Sequence, residues 1–195
     1  MDSEADHLRA LGLSISDDLS VRAECARIAR RIVVRGSRVI GLWPASSGVA
    51  APPLAIQLGV ALAELTTTTV AFVDANLRWP AAAGVSELVE QGAEDQFFAT
   101  FWLHQSLALI VPRRVGVAGA GGRQLKLLVE RSKDVFHYML VDLTGFDRLG
   151  EHLEALDLVD GAIVIGQARQ TTENELLRLR YQLSAEKTLG VILVG

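Results

Sequence analysis

Three segments hold the residues best placed to do chemistry. Asp74 closes an apolar run, Thr69-Val-Ala-Phe-Val-Asp74, and is followed by Ala75-Asn-Leu-Arg-Trp-Pro80. Asp142 closes a second run, His137-Tyr-Met-Leu-Val-Asp142, and is followed by Leu143-Thr-Gly145. A third run, Arg38-Val-Ile-Gly-Leu-Trp43, opens into Pro44-Ala-Ser-Ser-Gly-Val-Ala-Ala-Pro-Pro53. A strand-to-helix turn, with acids ending two other strands, is the layout of a nucleotide-phosphate site. Backbone N–H groups of such a turn face phosphate oxygens, and the acids position magnesium and a water.

Such a layout needs strands that end together, and the rest of the chain supplies them. The pattern alternates strands and helices. A helix is expected over Leu19 to Arg35, where Val21, Cys25, Ile28 and Ile32 form one apolar stripe, Asp18 or Ser20 caps the start and Gly36 ends it. The strand Arg38–Trp43 follows, then a helix over Leu54–Leu65 with Pro52 and Pro53 at its entry. Thr69–Asp74, Leu107–Val111, His137–Asp142, Gly161–Gly166 and Gly190–Val194 read as strands. Gly84–Gln91, Gln96–Leu103, Gln124–Asp134, Glu151–Leu156 and Thr172–Ser184 read as helices, and Gly116–Gly122 as a flexible loop. Strands apolar on both parities are buried on both faces, which implies a mainly parallel sheet covered by helices on each side. Ligands of such sheets bind at the carboxyl ends of the strands.

Composition sets the outer limits. The chain has 195 residues, half of them hydrophobic and 22% charged, with a mean hydropathy of +0.29. That excludes a disordered tail and fits a single domain. Residues 1–18 carry five acids (Asp2, Glu4, Asp6, Asp17 and Asp18) and no apolar core, so they read as a flexible acidic leader and not as a signal peptide. Residues 19–195 form the domain. Nineteen basic against 23 acidic side chains give a net charge of −4, which argues against binding nucleic acid. The single Cys25 cannot form an internal disulfide and suits a reducing compartment. No apolar run reaches the roughly 20 residues that span a bilayer, so direct membrane insertion is not expected.

The ordered set of segments resembles the cytoplasmic domain of bacterial tyrosine kinases (BY-kinases), which belong with the MinD/ParA-type P-loop ATPases. Val70-Ala-Phe-Val-Asp-Ala-Asn-Leu-Arg-Trp-Pro80 is similar to the family segment VLLIDADLRRP. His137-Tyr-Met-Leu-Val-Asp142 is similar to YDYVIIDTPP, with Thr144 and Gly145 in place of its prolines. Gly84-Val-Ser-Glu-Leu88 resembles GLSDVL. Asp160-Gly-Ala-Ile-Val-Ile165, Thr171-Thr172 and Leu189-Gly-Val-Ile-Leu193 resemble DGVLLVV, T and LGVVLN. Glu24-Cys-Ala-Arg-Ile-Ala-Arg30 matches EXXRXXR, which the resemblance implies is used in subunit association. The likeness covers about residues 20–195 and implies a three-layer α/β P-loop-NTPase-like fold.

The departure lies in the first turn, where the family carries GEGKST. Aligned from Gln57 backwards, this chain reads Gly48-Val-Ala-Ala-Pro-Pro53, and only Gly48 survives. Ala51 stands where the phosphate-binding lysine belongs and Pro52 where the magnesium-binding hydroxyl belongs. Pro52 and Pro53 also lack N–H groups, so two cradle donors are gone. No lysine precedes Lys126. The C-terminal tyrosine cluster common in the family is also missing, since the chain holds only Tyr138, in a buried strand pattern, and Tyr181, on a helix.

The remaining candidates divide between chemistry and packing. Asp74 and Asp142 are expected as solvated or paired remnants, with Arg78 as one partner. Glu24, Arg27 and Arg30 are expected at an interface, against local pairing on an exposed helix face. The six arginines from Arg22 to Arg38 lack interleaved aromatics and read as an association surface or a solvated face. His7, His104, His137 and His152 lack metal-ligand spacing, and neither metal nor cofactor is expected. Cys25 reads as core. Trp43 and Trp79 flank the turn and could fill it. Phe97, Phe98, Phe101 and Trp102, at helical spacing, form core or a partner groove. The expectation is a cytoplasmic pseudo-ATPase or pseudokinase that binds protein. Through the resemblance its partners are an active tyrosine kinase, a polysaccharide co-polymerase of capsule or exopolysaccharide export that recruits it to the inner membrane, or copies of itself. The alternatives are a MinD/ParA-like positioning or motility regulator and an ATPase with a non-standard nucleotide loop.

Overall fold

The structure is a computed structural model, and it describes residues 13–46, 48–75, 98–104, 106–112, 121–146 and 152–195. Helix α1 (Leu19–Arg35) starts where Asp18 Oδ1 accepts from Ser20 N at 2.8 Å. It stops at Gly36, whose φ of 70° lies in the left-handed region open to glycine. The helix buries Cys25, Ile28, Ala29 and Ile32, while Val21 at its outer end is exposed.

The other elements follow in the order β1 (Val39–Pro44), α2 (Pro52–Thr66), β2 (Val70–Asp74), β3 (Phe98–His104), β4 (Leu107–Pro112), α3 (Gly121–Ser132), β5 (Tyr138–Asp142), α4 (His152–Leu158), β6 (Gly161–Gln167), α5 (Glu173–Gln182) and β7 (Thr188–Val194). The strands lie side by side as β3-β4-β2-β5-β1-β6-β7. All neighbours are parallel except the antiparallel pair β3 and β4.

Alternation sends each strand's side chains to two separate cores. Ile40, Leu42, Phe72, Leu140 and Ile163 pack under α1 and α2. Val39, Trp43, Val73, Val141 and Val164 pack under α3, α4 and α5. This is the expected three-layer α/β arrangement, with central strands buried on both faces. Asp160 fixes the entry of β1, its Oδ2 accepting from Arg38 N and Val39 N at 2.8 Å each. Among the described residues no helix is long and apolar enough to cross a membrane.

Two expectations are corrected. Residues 98–103 are not helical: Phe98–His104 is strand β3, paired antiparallel with β4. Its burial has period two, with Ala99 and Leu103 inside, Phe101 half-buried beside them, and Thr100 and Trp102 outside. Trp102 is 54% exposed, its ring centroid 5.8 Å from that of Phe136. Residues 13–18, placed in the leader, are tied to the domain: Leu13 is buried in the α1/α2 core, and Gln57 Nε2 donates to Ser14 O at 3.3 Å. The helix expected over Gly84–Gln91, and Phe97, Arg78 and Trp79, lie outside the described residues. Of the expected flexible loop at Gly116–Gly122, the described part, Gly121 and Gly122, already belongs to α3.

Candidate functional site

Strands β2, β5 and β1 are consecutive in the sheet, so their carboxyl ends open onto one place. Asp74 and Asp142 are register partners at the ends of β2 and β5, and Leu42 of β1 stands on the other side of Asp142. Parity fixes their direction: Val70, Phe72, Tyr138 and Leu140 face α1 and α2, so Asp74 and Asp142 fall on that side. Neighbouring strands stand roughly 4.8 Å apart, which sets two carboxylates abreast. Of the two expected environments, solvated or paired, solvation is ruled out, since both side chains are fully buried.

Asp142 is held by the turn that follows it. Thr144 N donates to Asp142 Oδ1 at 2.9 Å, and Thr144 Oγ1 donates to the same oxygen. Leu143 N donates to Leu42 O at 2.9 Å, and Gly145 takes a φ of 85° as the chain turns away. The second carboxylate oxygen, Asp142 Oδ2, is buried without a hydrogen-bond partner. Burial pushes this carboxyl above its ordinary value, and the two Thr144 hydrogen bonds pull the other way. A buried carboxylate oxygen without a donor is satisfied by a proton or a cation. The sequence marked Asp142 but not the service of Thr144. The available signal was a hydroxyl residue two positions after an aspartate, a common local turn.

The turn from β1 into α2 is packed, not hollow. Ala45 N donates to Ile165 O at 2.7 Å and Val49 N to Ser46 O at 3.2 Å. Val49 and Ala51 are buried in the α1/α2 core, and Pro52 is buried beside them. Ala51 is the N-cap of α2 and makes no side-chain capping bond, while Pro52 and Pro53 fill the first helical positions. The first intrahelical bond runs from Ala55 N to Ala51 O at 2.9 Å. Of the four N–H groups a helix start leaves free, two are therefore absent. Gly48 has no positive φ, and a Cβ there would meet nothing nearer than Ser46 Oγ at 3.9 Å. Its backbone does not demand glycine. Trp43 does not fill the turn: it is buried on the opposite face of the sheet.

The other candidates lie away from the strand ends. Arg27 grips Glu24 one turn away, with Nε donating to Oε2 at 2.9 Å and Nη2 to Oε1. That contact lowers the Glu24 carboxyl below its usual value. Both side chains are more than half exposed, and Arg30 is exposed as well. Pairs of this kind contribute little to stability, so the triplet remains available on the surface of α1. Cys25 is buried as core, and burial raises its thiol. Tyr138 is buried in β5, whereas Tyr181 is exposed on α5.

No protein-family model and no curated protein matches the chain. Solved structures do. The BceF tyrosine kinase domain superposes with a TM-score of 0.65 at 20% identity, over 90% of this chain and 76% of that one. The chimerical protein CapA2B2 gives 0.66 at 16% identity, over 97% of each chain. The VpsO kinase domain gives 0.64 at 18% identity, over 88% of this chain and 94% of that one. The three-layer α/β architecture is thus shared with the BceF and VpsO kinase domains and with CapA2B2.

Proposed function

We propose that this chain is a catalytically inactive relative of the bacterial tyrosine kinases, a pseudokinase that works as a protein-interaction or assembly module. The observation that supports the proposal is that Ala51 and Pro52 are both buried at the start of α2; by the family resemblance these are the positions set against the phosphate-binding lysine and the metal-binding hydroxyl. Each charge-assisted hydrogen bond is worth about 1.5–3 kcal/mol net. Losing a lysine, a metal ligand and two N–H donors removes most of the affinity for a nucleotide. The Asp142 oxygen without a partner among the described residues suits a cation or a proton, but Ala51, Pro52 and Pro53 at the start of α2 do not suit a triphosphate.

The partners are those that the family resemblance implies. An active tyrosine kinase, a polysaccharide co-polymerase of capsule or exopolysaccharide export, or further copies of the chain would dock on a rigid surface that does not switch with nucleotide. The Glu24, Arg27 and Arg30 face of α1 is the proposed contact, with the module held in the cytoplasm or brought to the inner membrane by its partner. Calorimetric titration with ATP and ADP, each with magnesium, tests the central claim. No heat and no nucleotide-induced rise in melting temperature is the expected result. Micromolar binding would overturn it and return the ATPase reading.

A further inference from the structure

Strand β7 ends the sheet on the side opposite β3, and among the described residues no strand pairs with its outer edge. Val194 O accepts from Ala168 N at 2.8 Å, so Val194 faces the β6 side. Alternation then turns the backbone N–H and C=O of Val191 and Leu193 to the open edge. Their side chains are 52% and 58% exposed. Thr188–Val194 contains no charge and no proline, the devices that usually keep an edge strand from pairing.

A groove of about 570 Å³ runs beside this edge, lined by α1 from Glu24 to Arg35 and by β7 from Leu189 to Leu193. Its apolar lining includes Ile28, Ile32 and Ile192, and its rim carries Arg27, Arg31 and Arg35. Arg27 is engaged by Glu24, but Arg31 and Arg35 are exposed and make no hydrogen bond or ion pair with a described residue. Helix residues four apart rise by about 6 Å, and alternate strand residues are about 6.6–6.8 Å apart. The spacing of acids on one face of an added strand therefore matches that of Arg31 and Arg35.

We propose that β7 is a docking strand for an extended segment of a protein partner in which acidic and apolar side chains alternate. The segment's backbone pairs with Val191 and Leu193, its acids turn to Arg31 and Arg35, and its apolar side chains cover the exposed flank of β7. An uncharged apolar edge offers nothing to a nucleic-acid backbone. A second copy pairing edge to edge would bring together two α1 helices, each with five arginines and one glutamate, and like charges would oppose it. This proposal rests on the interaction-module reading and names a surface for it, distinct from the Glu24, Arg27 and Arg30 motif in its use of β7, Arg31 and Arg35.

The test is fluorescence anisotropy of the full chain with a short labelled peptide alternating Glu and Val. Saturable binding is expected, weakened about tenfold or more by the Arg31→Glu/Arg35→Glu pair, as two reversed rim charges imply. Val191→Pro should weaken it comparably, and N-methylation of the peptide's pairing edge should abolish it. Leu193→Lys serves as a second edge variant if Val191→Pro lowers the melting temperature. No binding to the wild type, or equal binding by all variants, overturns the proposal. So does preference for an oligonucleotide, or light scattering that shows copies pairing through β7. Nucleotide calorimetry on the same preparation separates the two claims. Nucleotide binding with peptide docking intact overturns inactivity and leaves this surface standing, and the converse result does the opposite.

Discussion

Ala51→Lys would reinstate the side-chain type of a phosphate-binding turn at a position that the fold has closed. The Ala51 side chain has no exposed area and lies in the core that also holds Leu42, Val49, Ala55 and Leu140. Overpacking there costs about 1–3 kcal/mol. Bringing an ammonium into the same space adds several kcal/mol, less what the stem recovers by turning its tip towards water. A net loss of about 3 kcal/mol is a moderate figure between these limits. For a domain of this size each kcal/mol moves Tm by about 2–4 °C, so Tm should fall by roughly 6–12 °C. Melting curves with and without magnesium-ATP read the outcome, and nucleotide should not restore the lost stability. An unchanged Tm that rises on adding magnesium-ATP would refute the reasoning, because it would mean the turn opens readily into a phosphate cradle.

Asp142→Asn should change the pH dependence of stability. Burial raises the folded-state carboxyl above its unfolded value near 3.8, so the folded chain binds more protons through the window between the two. The wild type should therefore lose stability as pH rises through that window and level off above it, while the variant does not. The unpaired Asn amide adds a fixed cost of about 1–3 kcal/mol, so the quantity to follow by thermal melting is the slope of the difference with pH. A difference constant from acid to neutral pH would show that Asp142 does not exchange its proton with folding. Gly48→Ala should shift stability by no more than about 0.5 kcal/mol in urea denaturation, since neither its φ nor its surroundings require glycine. A loss beyond about 1.5 kcal/mol would reveal a strain that the geometry does not contain.

The central layer was legible because its signal is composition. Val39–Pro44, Val70–Asp74 and Tyr138–Asp142 are buried at every position, and an uninterrupted apolar run says so directly. The caps of α1 were legible for a similar reason: Asp18 and Gly36 have local physics that needs no tertiary partner. β3 was not. The aromatics at 97, 98, 101 and 102 have a spacing that fits a helical face as well as a strand, and for Phe98–His104 the deciding fact is antiparallel pairing with β4, a tertiary contact. The docking of Leu13 and Ser14 was hidden likewise, because Leu11, Leu13 and Ile15 make only a short apolar stretch beside acids and serines, and packing against the α1/α2 core, a tertiary contact, decides that it is held.

For the candidate site, residue type was legible and environment was not. Through the resemblance, the sequence sets Ala51, Pro52 and Pro53 against a family lysine, hydroxyl and N–H donor, as an expectation. It does not announce that Val49 and Ala51 sink into the core, which turns a missing function into a positive packing role. The two acids went the other way. Sequence suggested solvated or paired remnants; both are fully buried, and among the described residues one oxygen of Asp142 lacks a donor. A valine at that strand end would avoid the cost of about 1–3 kcal/mol that an unsatisfied buried polar group carries. The start of α2 is thus apolar core while the strand ends carry buried acids, although the same packing argument applies to both. The pH slope of Asp142→Asn bears on that asymmetry. A slope of the expected sign means that a proton satisfies the orphaned oxygen and the carboxylate is stored neutral. Its absence, joined to a stabilising effect of magnesium alone on the wild type, would mean that the strand ends still hold a cation after the turn has ceased to hold a phosphate.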